Sequence, residues 1–202
     1  MLRPQCQAAL ESRLTALVLS PLGNPADAES VLPTRGSRNG TATAMSIPFA
    51  PEPEPEAEVL HLDDDQPTGS LPLGFEFEFF GARYARFDLS SDGLMTFRTD
   101  RPGRASASYR CDSYSSIALG WSDLFPLRGR RLAYEVRGDT SRRRLVLSLI
   151  GAPHSHRLGV SRLAAQLILY ERTGMIDVHT RRDDAAGHSI DREALRFTTT
   201  PW

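Results

Sequence analysis

From Val59 onward the chain is built of short segments in which apolar and polar residues alternate, broken by glycine, proline and Asp/Ser turns. Alternation with period two marks strands with one dry and one wet face. Val59-Leu60-His61-Leu62 predicts a first strand, ended by Asp63-Asp64-Asp65. Phe75, Phe77 and Phe79 alternate with Glu76 and Glu78, giving an aromatic face and a charged one. After Gly81-Ala82 a strand runs from Tyr84 to Leu89, with Ala85, Phe87 and Leu89 opposing Tyr84, Arg86 and Asp88. Ser90-Ser91-Asp92-Gly93 signals a tight turn into Leu94 to Thr99. Ser116 to Trp121 is nearly all apolar and predicts a buried central strand. Two more hairpins follow: Leu132–Val136 with Arg144–Ile150 across Arg137-Gly138-Asp139-Thr140-Ser141, and Leu163–Tyr170 with Met175–Thr180 across Glu171-Arg172-Thr173-Gly174. Ala194 to Thr198 closes the series.

Short turns between so many strands favour antiparallel pairing, and one apolar side per strand needs a second layer to cover it. The expectation is an all-β, two-sheet antiparallel β-sandwich with a disordered N-terminal tail. Its predicted inward set is Phe75, Phe77, Phe79, Phe87, Leu89, Phe97, Ile117, Trp121, Val146, Leu167, Leu169 and Ile176. Burying each such side chain contributes about 1.5–3 kcal/mol, enough for one core.

Three zones are expected: a flexible tail over 1–47, a Pro/Glu spacer over 48–57 and the sandwich over 58–202. The spacer reading follows from Pro48, Pro51, Pro53 and Pro55 interleaved with glutamates, an extended and self-repelling composition. Met45 follows the patternless run from Gly36 to Ala44. It therefore reads as the native start, with 1–44 a tail or an over-extended reading frame. Leu14 to Leu19 resembles a signal-peptide core but is short, and Glu11 and Arg13 interrupt its approach.

Of the 202 residues 40% are hydrophobic and 24% charged, with 24 basic against 25 acidic residues. This is an ordinary globular balance. A net charge of −1 removes the electrostatic basis for nucleic-acid binding. No apolar run approaches the ~18 residues of a membrane-spanning helix. Every basic residue is arginine, which excludes any lysine chemistry. Cys6 and Cys111 form no disulfide framework and no metal-ligand spacing.

An ordered set of motifs runs through the strands. Leu71-Pro72-Leu73-Gly74-Phe75-Glu76-Phe77-Glu78-Phe79-Phe80-Gly81 is followed by Tyr84 and then Ser90-Ser91-Asp92-Gly93-Leu94-Met95-Thr96-Phe97. Next come Ile117-Ala118-Leu119-Gly120-Trp121-Ser122-Asp123-Leu124, Tyr134 to Gly138, Arg144-Leu145-Val146-Leu147, and Gln166 through Ile176. In this order, over roughly residues 63–190, they resemble nidogen-like and plexin-domain-containing-type β-sandwich domains of bacterial secreted or surface proteins. Asp92 stands where that pattern has Asn, Leu119-Gly120 replace Pro-Phe, and Ser122 replaces the first Asp of an acidic pair. The resemblance implies a non-catalytic module for adhesion, display or assembly, with protein or carbohydrate partners or self-assembly, and it brings no catalytic residues and no cofactor. It implies a secreted or cell-surface location; a start at Met45 would instead place the chain in the cytoplasm or an assembly. The alternatives are a subunit of a virion or filament, or a sandwich-fold carbohydrate-processing hydrolase.

Candidate chemistry is sparse. His154 and His156, two apart, with His179 from a neighbouring strand, have the ligand type for Zn²⁺ or Cu²⁺, although His154-Ser155-His156 follows Gly151-Ala152-Pro153 and reads as loop. Asp63, Asp64 and Asp65, with Asp92 and Asp123, offer oxygen ligands for Ca²⁺, but a solvated acidic run ending a strand is the plainer account. Glu76 and Glu78 share a wet face where a glycosidase pair can sit, and edge protection explains them more simply. No Gly-x-Ser-x-Gly elbow accompanies the serines and five histidines. The arginine groups at 128–131, 142–144 and 181–182 read as an ion-paired rim. Asn39-Gly40-Thr41 fits a glycosylation sequon, a tripeptide common by chance, and the terminal Trp202 reads as a docking residue or a cap on the sandwich.

Overall fold

The computed structural model describes residues 41–62, 67–90, 93–98, 116–119, 131–153, 161–184 and 186–200. In chain order the strands are β1 (Thr41–Ser46), β2 (Glu58–Leu60), β3 (Leu71–Phe79), β4 (Ala82–Leu89), β5 (Leu94–Arg98), β6 (Ser116–Ala118), β7 (Arg131–Arg137), β8 (Arg144–Pro153), β9 (Ser161–Tyr170), β10 (Ile176–Asp184) and β11 (Ser189–Thr200). They form a seven-stranded sheet, β1-β11-β10-β9-β8-β7-β2, and a four-stranded sheet, β3-β4-β5-β6, antiparallel throughout. The protein is an all-β sandwich. All ten strands expected from alternation are present, with ends moved by a few residues, but β6, expected as a central strand, is the outermost strand of the smaller sheet among the described residues.

The core lies between the layers. Leu73, Phe75, Phe77 and Phe79 of β3 and Phe87 and Leu89 of β4 meet Leu145, Leu147 and Leu149 of β8 and Leu167 and Leu169 of β9. Phe97 is the hub of an aromatic cluster, with ring centroids 4.9 Å from Phe79, 5.2 Å from Tyr84 and 5.6 Å from Phe77. Phe87 and Tyr134 join the layers edge to face at 5.5 Å, and Thr199 Oγ1 accepts the Phe80 N–H.

Three further expectations need correction. Tyr84 faces the core with Phe87, not the solvent with Arg86. The reason is a bulge: Pro72 pairs with Arg86 but Phe77 already pairs with Tyr84, so residues 73–76 face Ala85 alone and the alternation changes phase. Gly74 sits in this bulge at φ 81°, where a Cβ would stand 2.9 Å from Val136 Cγ2. Second, Val146 is fully buried but points away from the core, since its neighbours Leu145 and Leu147 point in. Third, residues 41–46 are no tail: they form β1 along β11, so Thr41–Ala44, ahead of Met45, are part of the sheet. Trp121 of the predicted core lies outside the described residues.

The β4–β5 turn is closed by Ser90 N–H to Leu94 O at 2.9 Å and Gly93 N–H to Ser90 O at 3.1 Å. Gly93 takes φ +78°, and a Cβ there would lie 2.7 Å from the Leu119 carbonyl, which is backbone and cannot swing aside. Left-handed strain plus this collision predicts a loss of ~1–2 kcal/mol for Gly93→Ala. Urea unfolding checks it, and an unchanged midpoint would refute this account of the turn.

Candidate functional site: the strapped face of the large sheet

The side of the seven-stranded sheet facing away from the core carries two rows of side chains that alternation alone would leave wet. Across β7, β8, β9, β10 and β11 one row reads Ala133, Ser148, Gln166, His179 and Ala194, and all five are buried. The next reads Glu135, Val146, Ile168, Asp177 and Arg196. Val146 and Ile168 are 0% and 1% exposed.

The segment between β1 and β2 crosses this face. It leaves β1 with Ile47 N–H bonded to Ala194 O, and it reaches the opposite edge as β2 paired to β7. Phe49 meets the His179 ring edge to face at 5.7 Å, and the Arg192 guanidinium lies 5.7 Å from the Phe49 centroid. At Glu52 the strap is held by its backbone and its carboxylate together. Gln166 Oε1 accepts the Glu52 N–H at 2.7 Å, while Gln166 Nε2 donates to Glu52 O at 2.9 Å and to Ser148 Oγ at 3.1 Å. Arg144 donates to both oxygens of the Glu52 carboxylate, and Arg137 Nη1 reaches Oε2 at 3.1 Å. Proline has no N–H to offer a ladder, so this stretch cannot pair as a strand, but its carbonyls remain strong acceptors. Arg137 takes Pro53 O at 2.9 Å and Glu54 O at 3.3 Å, and Arg131 takes Pro55 O at 2.9 Å. The sequence predicted an extended, self-repelling spacer. The segment instead lies on the domain, because a glutamine and three arginines far along the chain satisfy it.

Charge on this face is balanced locally. Burial alone would raise the Glu52 carboxyl, but hydrogen bonds from Arg144 and Arg137 outweigh it, and the carboxyl sits below its ordinary range. Glu135 closes the other side of Arg137 at 2.8 Å. Asp177 takes Arg196 through two bonds of 2.6 Å and the Tyr170 hydroxyl at 3.1 Å. Burial first, and then the Asp177 charge, push the Tyr170 hydroxyl up to about 12. His179 is 4% exposed, and its Nδ1 has no hydrogen-bond partner among the described residues. Burial lowers its basicity; Asp177 pulls the other way and Arg196 adds to the lowering.

These directions fix a pH dependence. His179 stays neutral in the folded protein at a pH where the unfolded chain already takes up its proton. Its share of stability is therefore present above the ordinary histidine value of 6.5 and is lost as pH falls below it. Glu52, with a lowered value, keeps its contribution above 4.5 and loses it on further acidification. The melting temperature should fall between pH 7 and pH 5.5, and His179→Leu should flatten that slope. An equal slope in the variant would count against the buried histidine as its source.

The residues singled out by sequence are dispersed. Glu76 and Glu78 lie on the exposed face of β3 and both approach Arg83, at 3.7 and 4.0 Å, on open surface. His179 lies under the strap. Asp63, Asp64, Asp65, Asp92, Asp123, His154, His156, Cys6, Cys111 and Trp202 lie outside the described residues. Among the described residues no group of three or more His, Cys, Asp or Glu could hold a metal ion. The arginine groups form part of an ion-paired rim: Arg143 with Glu171 at 2.6 Å, Arg181 with Asp183 at 3.1 Å and Arg131 with Glu54 at 3.8 Å. Sequence reasoning missed Glu52, Ser148, Asp177 and Arg196, and met Gln166 and Tyr170 only as motif letters. The readable signals were single polar residues inside apolar strands: Ser148 between leucines, Gln166 between Ala165 and Leu167, and Asp177 between Ile176 and Val178.

Two stacked antiparallel sheets with a proline strap tied across the larger define a β-sandwich module. The family profile described as NIDO related matches residues 41–194, and the chain belongs to this nidogen-related family. The match begins where β1 begins, so it takes in the strap. Domains of this family are, in general, non-catalytic binding and structural modules. No curated protein and no solved structure matches the chain.

Proposed function

We propose that the chain is a non-enzymatic β-sandwich module, secreted or displayed at a cell surface, that acts through protein or carbohydrate contacts. The observation that carries this reading is the strap. The chain's own strap crosses the outer face of the large sheet, and the ionisable groups beneath it are largely engaged with one another. The surface left for partners includes the charged outer face of β3 and β4, where Glu76, Glu78 and Arg83 are exposed, and the edges of the sheets. A hydrolase site needs two carboxyl groups converging on a substrate cleft, whereas Glu76 and Glu78 lean on one arginine on open surface.

The test is retention of the purified chain on immobilised polysaccharides and extracellular-matrix proteins, with substrate integrity followed in the same samples. Saturable retention without turnover, weakened by reversing Glu76 and Glu78 to arginine, is the expected result. Cleavage of a glycan would overturn the non-enzymatic reading. Accessibility of the chain on intact cells to added protease tests display, and a wholly cytosolic protein would contradict it.

A further inference from the structure

Among the described residues the two sheets end in four edges, β1 and β2 on the larger and β3 and β6 on the smaller. An edge strand presents unpaired N–H and C=O groups that template pairing with another chain, and proteins guard such edges with shortness, proline, bulges or charge. Here β2 and β6 are three residues long. β3 carries Pro72, the bulge at 73–76, and Glu76 and Glu78. β1 has none of these guards. Its six residues, Thr-Ala-Thr-Ala-Met-Ser, hold no charge and no proline. It also carries Met45, 57% exposed, the most exposed large hydrophobic among the described residues.

The direction of its free groups follows from the ladder. Ile47 N–H bonds to Ala194 O, which continues the β1–β11 register, and residues in an antiparallel strand turn their N–H and C=O to alternate sides. Thr41, Thr43 and Met45 therefore bond toward β11, and Ala42, Ala44 and Ser46 turn theirs to the open side.

We propose that this edge pairs with the β1 of a second copy of the chain, antiparallel and about a two-fold axis at Ala44, joining two large sheets into one. Ala44 then faces Ala44 of the partner subunit, Ala42 faces Ser46 of the partner subunit, and Met45 packs against Thr43 of the partner subunit. A strand edge of neutral, mostly small residues suits another copy of itself: no charge is buried, and the one exposed apolar side chain is covered. The inference rests on the reading of the chain as a binding module and names one of its partners.

Sedimentation equilibrium of the full chain at rising concentration tests it. The average mass should climb from 22.3 kDa toward twice that value. Ala44→Pro deletes an N–H that points to the open side and leaves the β11 bonds intact, so it should stay monomeric with an unchanged melting temperature. Should proline perturb the fold, Met45→Glu, on an exposed side chain, decides the question by placing charge at the seam, and it too should be monomeric. A wild-type chain monomeric at every concentration overturns the proposal, and so does a dimer that survives either variant. A monomer would leave the partner-retention test of the module untouched.

Discussion

Replacing Phe97 by alanine is expected to destabilise the fold by about 3–5 kcal/mol, a large part of the roughly 5–15 kcal/mol that holds a domain together. Phe97 is buried and touches three aromatic rings at 4.9–5.6 Å, two from β3 and one from β4. Truncation loses the transfer free energy of the ring, opens a cavity bounded by rings that cannot collapse into it, and removes the edge and stacking geometry of each pair. Phe97→Leu keeps most of the volume and should lose less than half as much. Urea unfolding of both variants checks the prediction. Equal losses would mean that ring packing is not what the site supplies.

Glu52→Ala should cost about 2–3 kcal/mol, large for a residue in a proline-rich connector. Its carboxylate is four-fifths buried and bonded to Arg137 and Arg144, which keep their positive charges when it is removed. Glu52→Gln should fall between, since an amide retains one acceptor but no charge. The Gln166 bonds to the Glu52 backbone survive both changes, so the strap should loosen around Glu52 without the core melting separately. A loss below about 0.5 kcal/mol, the scale of an ordinary surface ion pair, would show that the strap carries no stability.

The strands were legible because their alternation is strong and their turns carry Gly, Asp and Ser at the right places. Phe75 to Phe79 and the hairpins at Ser90–Gly93 and Glu171–Gly174 could be placed from sequence alone. β1 was not, since Thr-Ala-Thr-Ala-Met-Ser has no large apolar stripe and takes its place only by pairing with β11 at the far end of the chain. Val146 reads as core in the sequence because a strand buried on both faces is a continuous apolar run, and Leu145-Val146-Leu147 does not say which face is which. The strap was hidden for a deeper reason. A Pro/Glu segment has the same composition whether it waves in water or lies in a cradle, and here the cradle is built by Arg137, Arg144 and Gln166, 85 to 114 residues away. Local pattern does not encode such a partner. The lone glutamine in an apolar strand was its one visible trace.

The proline arm is bound across the large sheet. The Glu52 amide reports this directly, because it donates to the buried side chain of Gln166 and lies in a segment where prolines leave few other amides. Hydrogen exchange followed by NMR at neutral pH should find that amide protected at least about a hundredfold over an unstructured chain, and Gln166→Ala should abolish the protection. Exchange at the free-chain rate in the unaltered protein would contradict the account.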